Sequence, residues 1–123
     1  MNVPERNRET VRRFYEAFRT ADLAAFESLV ADDYVQHNPQ ARDGRQGLLE
    51  FISSVGPLDV QVHRMIAEAD LVAVHGHLRT WDMAAADIFR IDQGGRIVEH
   101  WDVLQPVPEQ TVSGHDMFAQ VTR

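Results

Sequence analysis

The stretch Asp87-Ile-Phe-Arg-Ile-Asp-Gln-Gly-Gly-Arg-Ile-Val-Glu-His-Trp-Asp-Val103 decides the fold. Apolar and polar residues alternate on both sides of Asp92-Gln93-Gly94-Gly95, the pattern of two antiparallel strands joined by a tight turn. Setting Ile91 opposite Arg96 predicts Phe89 opposite Val98, Asp87 opposite His100 and Ala85 opposite Asp102. Asp87, His100 and Asp102 then share one face. Directly opposed Cβ atoms are about 5 Å apart, within reach of a carboxylate–imidazole hydrogen bond. The alternate face carries Ile88, Ile97, Trp101 and Val103. Two readings follow. Either that apolar set meets the core and Asp87 and His100 face solvent, or Asp87 and His100 line a cavity and the Trp101 face makes a subunit contact.

Outward from the hairpin, strand patterning covers Val60 to Glu68, Leu71 to Thr80, Ala84 to Ile91 and Arg96 to Leu104, broken at Ala69-Asp70 and Trp81-Asp82. The period upstream is helical. Val11, Phe14, Tyr15 and Phe18 make one face of a helix from about Pro4 to Thr20. Asp22 caps a second helix with Leu23, Phe26, Leu29 and Val30 on its stripe, and Leu48, Leu49, Phe51, Ile52 and Val55 form a third between Asp43-Gly44 and Gly56-Pro57. A brief extended run, Tyr34 to Gln36, ends at His37-Asn38-Pro39. Helices first and a strand meander afterwards predict a single α+β domain over 1–123, with helices packed on one face of a curved antiparallel sheet. In the tail, 106–123, Met117 and Phe118 fit either a dimer contact or packing on their own domain.

Composition removes whole chemistries. The 123 residues contain 12 basic side chains, all arginine, and no cysteine. A lysine imine, a thiol nucleophile, a disulfide and a thiolate metal site are therefore excluded. A formal charge of −7 argues against nucleic acid or an anionic membrane as partner. With no apolar run of signal-peptide or membrane-span length, the expected location is cytoplasmic. His75 and His77 share a strand face, a spacing that metal sites use, but Val72, Val74 and Leu78 claim the opposite, apolar side. These two histidines are expected to point outward, His63 and His115 add nothing to them, and no metal or cofactor is expected.

The hairpin, together with Tyr34-Val-Gln-His-Asn-Pro39 and Gly44, resembles the SnoaL-like polyketide cyclase branch of the nuclear-transport-factor-2-like superfamily, in particular members described as predicted aldol-condensation enzymes. The resemblance implies a cone-shaped, cystatin-like sheet with a deep pocket against the first helix, and a homodimer formed through the outer sheet face. It implies a small-molecule substrate, apolar or polyketide-like, and cofactor-independent acid–base chemistry next to a carbonyl, of aldol (lyase) or isomerase type. Asp87 and His100 are the implied acid–base pair. Phe14, Tyr15, Phe18, Tyr34, His37, Asn38, Phe89, Val98 and Asp102 are the implied surroundings of the substrate. Where ketosteroid isomerases carry a basic aspartate before proline this chain has Asn38, and their pocket tyrosine is Phe14 here, with Tyr15 adjacent. Other readings stay open: core packing for Tyr15 and Tyr34, a turn role for His37, a non-catalytic binding module, and a hydrolase or dehydratase using Asp87, Asp102 and Asn38.

Overall fold

In the computed structural model, which describes residues 1–119, the elements run α1 (Val3–Thr20), α2 (Leu23–Leu29), β1 (Val30–Gln36), α3 (Gly44–Val55), β2 (Val60–Glu68), β3 (Leu71–Leu78), β4 (Met83–Ile91) and β5 (Ile97–Pro106). Local chemistry sets the helix ends. Asn2 caps α1 by accepting the Glu5 N–H at 2.9 Å, Pro4 occupies the first turn, and Ala21 in the left-handed region (φ 52°) closes the helix. Asp22 caps α2 by accepting the Ala25 N–H at 3.2 Å. Before α3, the Asp43 carboxylate turns away from its own helix and accepts the Gln36 N–H at 2.8 Å, tying the end of β1 to the start of α3.

The sheet has the order β1-β5-β4-β3-β2. β2 to β5 form the expected antiparallel meander, whereas β1 joins parallel to β5, with Val30 against Ile97 and Gln36 against His100. The sheet is thus mixed and open, not purely antiparallel. β1 also begins at Val30 rather than Tyr34. Val30, expected on the stripe of α2, leaves the helix because pairing with Ile97 buries it completely.

The hairpin register differs from the expected one by two residues. Its turn closes tighter: Asp92 N–H donates to the Arg96 carbonyl at 2.9 Å, the Asp92 carboxylate accepts the Arg96 N–H at 3.0 Å, and Gly95 takes the left-handed conformation (φ 85°). A bulge then inserts Val98 between the pairs Ile91–Ile97 and Arg90–Glu99. Two displacements of one residue preserve side-chain parity beyond the bulge, so Phe89 faces His100 and Asp87 faces Asp102. Asp87, His100 and Asp102 still share a face, while Ile97 is switched inward and is fully buried.

That inner face packs on α1. Phe14 meets Phe18, Phe26 and Phe89 edge-on at centroid distances of 4.9, 5.2 and 5.1 Å, and Val11, Ile52, Val72, Val74 and Ile91 fill the spaces between them. The guanidinium of Arg6 donates to the Gln93 and Asp92 carbonyls at 2.9 and 3.1 Å, fastening α1 to the hairpin turn. The outer face leaves Ile66, Ile88 and Val103 exposed. His75 and His77 lie on that outer side, as their pattern predicted, beneath the chain's own tail. Phe118 stacks on His63 at 4.7 Å and on His77 at 4.6 Å, and its carbonyl accepts from Arg64 at 2.6 Å. Residues 120–123 of the tail lie outside the described residues.

Candidate active site

A cavity of about 80 Å³ opens between α1, the loop after β1, α3 and the inner face of the sheet. Its deep wall is polar, built from Asp87, His100, Asp102, Asn38, Gln36, Tyr15 and Tyr34. Its outer wall is apolar, with Phe18, Phe51, Leu58, Leu104 and Trp81. Phe51 and Trp81 meet edge-on across 6.3 Å at the mouth. The space suits several waters or a ligand of about one ring, and a longer molecule would extend outward past Trp81.

One hydrogen-bond chain organises the deep wall. The Asn38 backbone N–H, which can only donate, lies 3.1 Å from Gln36 Oε1, and Gln36 Nε2 donates to the Tyr34 hydroxyl at 2.7 Å. These two contacts assign the orientation of the Gln36 amide. The same Oε1 meets His100 Nδ1 at 2.9 Å, so Nδ1 carries a proton. The other ring nitrogen, Nε2, lies 2.8 Å from Asp87 Oδ1, and one proton occupies that contact whether it resides on nitrogen or oxygen. Tyr15 Oη donates to Asp87 Oδ2 at 2.9 Å. Asp87 and His100 are both buried. Burial, reinforced by the Asp87 carboxylate, pushes the Tyr15 phenol well above its ordinary range and keeps it a donor. Burial does the same for Tyr34.

Asp102 is placed differently. It stands opposite Asp87 across the strands, half-buried, with both oxygens accepting from the Asn38 amide at 2.9 and 2.8 Å. Burial raises its carboxyl above the ordinary value of 3.8; the Asn38 hydrogen bond and His100 oppose that rise, and Asp87 adds to it. A carboxyl raised on folding contributes stability below its unfolded value that is lost as pH climbs through the folded one. Asp102→Asn removes that loss. Its unfolding temperature relative to the parent chain is therefore expected to be higher at about pH 7 than at about pH 3.5. A difference between the two proteins that does not change with pH in thermal melts would contradict this.

Of the residues singled out in the sequence, Phe14, Tyr15, Phe18, Tyr34, Asn38, Asp87, His100 and Asp102 line the cavity. Three do not. His37 follows Gln36 on the opposite side of the chain, where it stacks on Trp101 at 5.0 Å and bonds Glu99 at 2.8 Å. Val98 is the inserted residue of the bulge, and Phe89 lies fully buried beneath His100, with ring centroids 4.9 Å apart, supporting the wall without forming it. Gln36 is the residue that sequence reading missed. Its one signal is adjacency: strand alternation sends Gln36 inward when His37 points out. The ligand atoms of Asp87, His100 and Asp102 lie within 4.8 Å of one another, the one grouping of metal-ligating side chains among the described residues. Their nearer lone pairs already accept from Tyr15, His100 and Asn38.

An open α+β cone with its pocket between the bent sheet and the first helix is the nuclear-transport-factor-2-like fold. The chain belongs to the SnoaL-like domain family, whose sequence profile matches residues 11–100. Among solved structures it is similar to wild-type IdmH from Streptomyces antibioticus, for which polyketide cyclase activity has been put forward. That likeness is 25% identity over 80% of this chain and 91% of IdmH, with a TM-score of 0.62. An NTF-2 like protein of unknown function from Burkholderia xenovorans LB400 aligns over 96% of this chain and 97% of its own at 19% identity and a TM-score of 0.76. A Kribbella flavida DSM 17836 protein, proposed to be a ketosteroid isomerase, aligns over 98% and 93% at 19% identity and a TM-score of 0.73. The last two likenesses speak to fold alone. No curated protein matches the sequence. No described helix is long and apolar enough to cross a membrane.

Proposed function

We propose that the chain is a cofactor-independent acid–base enzyme acting next to a carbonyl of a small, largely apolar substrate, in an aldol-type cyclisation or an isomerisation. The observation that carries this reading is the buried 2.8 Å contact between Asp87 Oδ1 and His100 Nε2 at the cavity wall. Asp87 takes the proton of an activated α-carbon, and the electron pair of the broken C–H bond stays on the substrate as an enolate. Once Asp87 is protonated its hold on the His100 Nε2–H weakens. His100 then gives that proton to the alkoxide left when the enolate carbon closes on a second carbonyl. The proton on Asp87 passes to the vacated Nε2, and the pair returns to its starting state with no outside acid or base. Gln36 keeps Nδ1 protonated throughout, so the exchange is confined to the nitrogen that faces Asp87. The likeness to IdmH supports the cyclisation branch of this reading. With no lysine in the chain, the enolate cannot be reached through a side-chain imine.

The test is exchange of the α-protons of cyclic β-dicarbonyl compounds of one-ring size with deuterated solvent, followed by proton NMR. Protein-dependent exchange above the buffer rate is expected. Saturable binding without exchange would instead make the cavity a binding module.

The homodimer implied by the family belongs to the same reading. It would cover the exposed Ile66, Ile88 and Val103 of the outer sheet face. Sedimentation equilibrium is expected to give twice the 14.0 kDa chain mass, and a monomer at micromolar concentration would remove the dimer.

A further inference from the structure

The charges of the cavity do not balance. Two carboxylates, Asp87 and Asp102, share one imidazole: His100 lies within 4.8 Å of both but hydrogen-bonds Asp87, and the one side chain among the described residues that hydrogen-bonds Asp102 is the neutral Asn38 amide. None of the residues that line the cavity is an arginine, and the chain has no lysine. Arg90 pairs with Glu99, Arg45 with Asp32 and Arg79 with Asp59. The same cavity carries three aromatic rings, Phe18, Phe51 and Trp81. A half-buried carboxylate in a cavity with aromatic walls, already oriented by an amide and sharing its nearest imidazole with a second carboxylate, is complementary to an ammonium group carried on an apolar body. It is hostile to carboxylates, sulfonates and phosphates, which would bring a second negative charge into a half-buried space.

The geometry points to a ligand with a protonated amine that bonds Asp102 while its apolar body fills the space between Phe18, Phe51 and Trp81. This inference rests on reading the cavity as the substrate site, and together with the proton-shuttling pair it defines the substrate class as an amino-carbonyl compound. The ammonium sits on Asp102 and the reacting carbonyl lies against Asp87 and His100. Discrimination comes from the strands themselves, since cross-strand pairing holds the catalytic carboxylate and the ammonium-reading carboxylate side by side.

The experiment is calorimetric titration of the full chain with 2-phenylethylamine, 2-phenylethanol and phenylacetate, three one-ring probes that differ at the polar end. The amine is expected to bind at least about ten-fold more tightly than the alcohol, with phenylacetate weakest. In Asp102→Asn the amine should fall to the level of the alcohol while the alcohol changes little. The titratable groups that face Asp102 are Asp87, His100, Tyr15 and Tyr34. The ratio of amine to alcohol affinity should shrink as pH falls through the raised range of the Asp102 carboxyl. The cationic probe responds to the charge of all of these groups, so the change is assigned to Asp102 by its loss in Asp102→Asn. Phenylacetate binding as tightly as the amine, an amine advantage that survives Asp102→Asn, or no binding of any probe would overturn the inference. The readout is binding alone, so a chain that binds the amine yet exchanges no α-protons would sustain this inference while removing the catalytic one.

Discussion

Asp87→Asn is expected to slow α-proton exchange by about 10²–10⁴-fold, the span that one positioned acid–base group supplies. The substitution changes chemistry and little else. An amide has the shape of the carboxylate and can still accept the Tyr15 hydroxyl, which lies 2.9 Å from Oδ2. Its NH₂ can donate to His100 Nε2 across the contact that measures 2.8 Å in the parent chain. That arrangement leaves His100 neutral with its proton on Nδ1, which the Gln36 oxygen already requires. The network therefore closes, but no group in it can accept the substrate proton and pass it on. The loss should fall on kcat, with KM moving only a few-fold, because the apolar walls that hold the substrate are untouched. Exchange within about three-fold of the parent rate would take Asp87 out of the mechanism and pass the role of base to Asp102.

The second large effect concerns stability. Phe89→Ala should cost about 3–5 kcal/mol, the range for deleting a fully buried aromatic side chain. Phe89 has no exposed surface, meets Phe14 and Tyr15 edge-on at 5.1 and 5.8 Å, and supports the ring of His100. Its contacts come from α1 on one side and β5 on the other, so neither element can collapse into the space without giving up its own packing. Urea unfolding should show a lower midpoint at an unchanged slope. Against a total stability of about 5–15 kcal/mol, a loss of this size removes from about a fifth to all of what holds the fold. A loss below about 1 kcal/mol would mean that the site collapses freely, contrary to the packing of its neighbours.

Much of this was legible in the chain because it depends on period. The helical stripe of Val11, Phe14, Tyr15 and Phe18 and the two-residue alternation around Asp87 and His100 put the right faces together without reference to anything distant. Register was not legible in the same way. The tight turn and the Val98 bulge each move the pairing by one residue, and only their sum being even kept Asp87, His100 and Asp102 on a common face. Parallel addition of β1 was hidden for a different reason. It depends on contacts between residues such as Val30 and Ile97, far apart in sequence, and nothing local in Val30-Ala-Asp-Asp-Tyr announces them. The assignment of His37 to the pocket failed because a histidine before Asn-Pro looks functional whichever way it points. Its neighbour Gln36, a residue type with little catalytic reputation, took the inward position.

The parallel pairing of β1 with β5 has a further consequence. β1 is the edge strand of the sheet, and it delivers Gln36 to His100 while the His37 N–H bonds the His100 carbonyl at 3.0 Å. The side chain that dictates which nitrogen of the imidazole is protonated and the backbone that holds the strand in place are therefore secured by one short ladder. Fraying of that ladder, the least costly opening available to an edge strand, would leave Asp87 and His100 in position but return the choice of tautomer to solvent. The proton inventory of the cavity is in this sense a property of the margin of the sheet, not of the two residues that carry the proton.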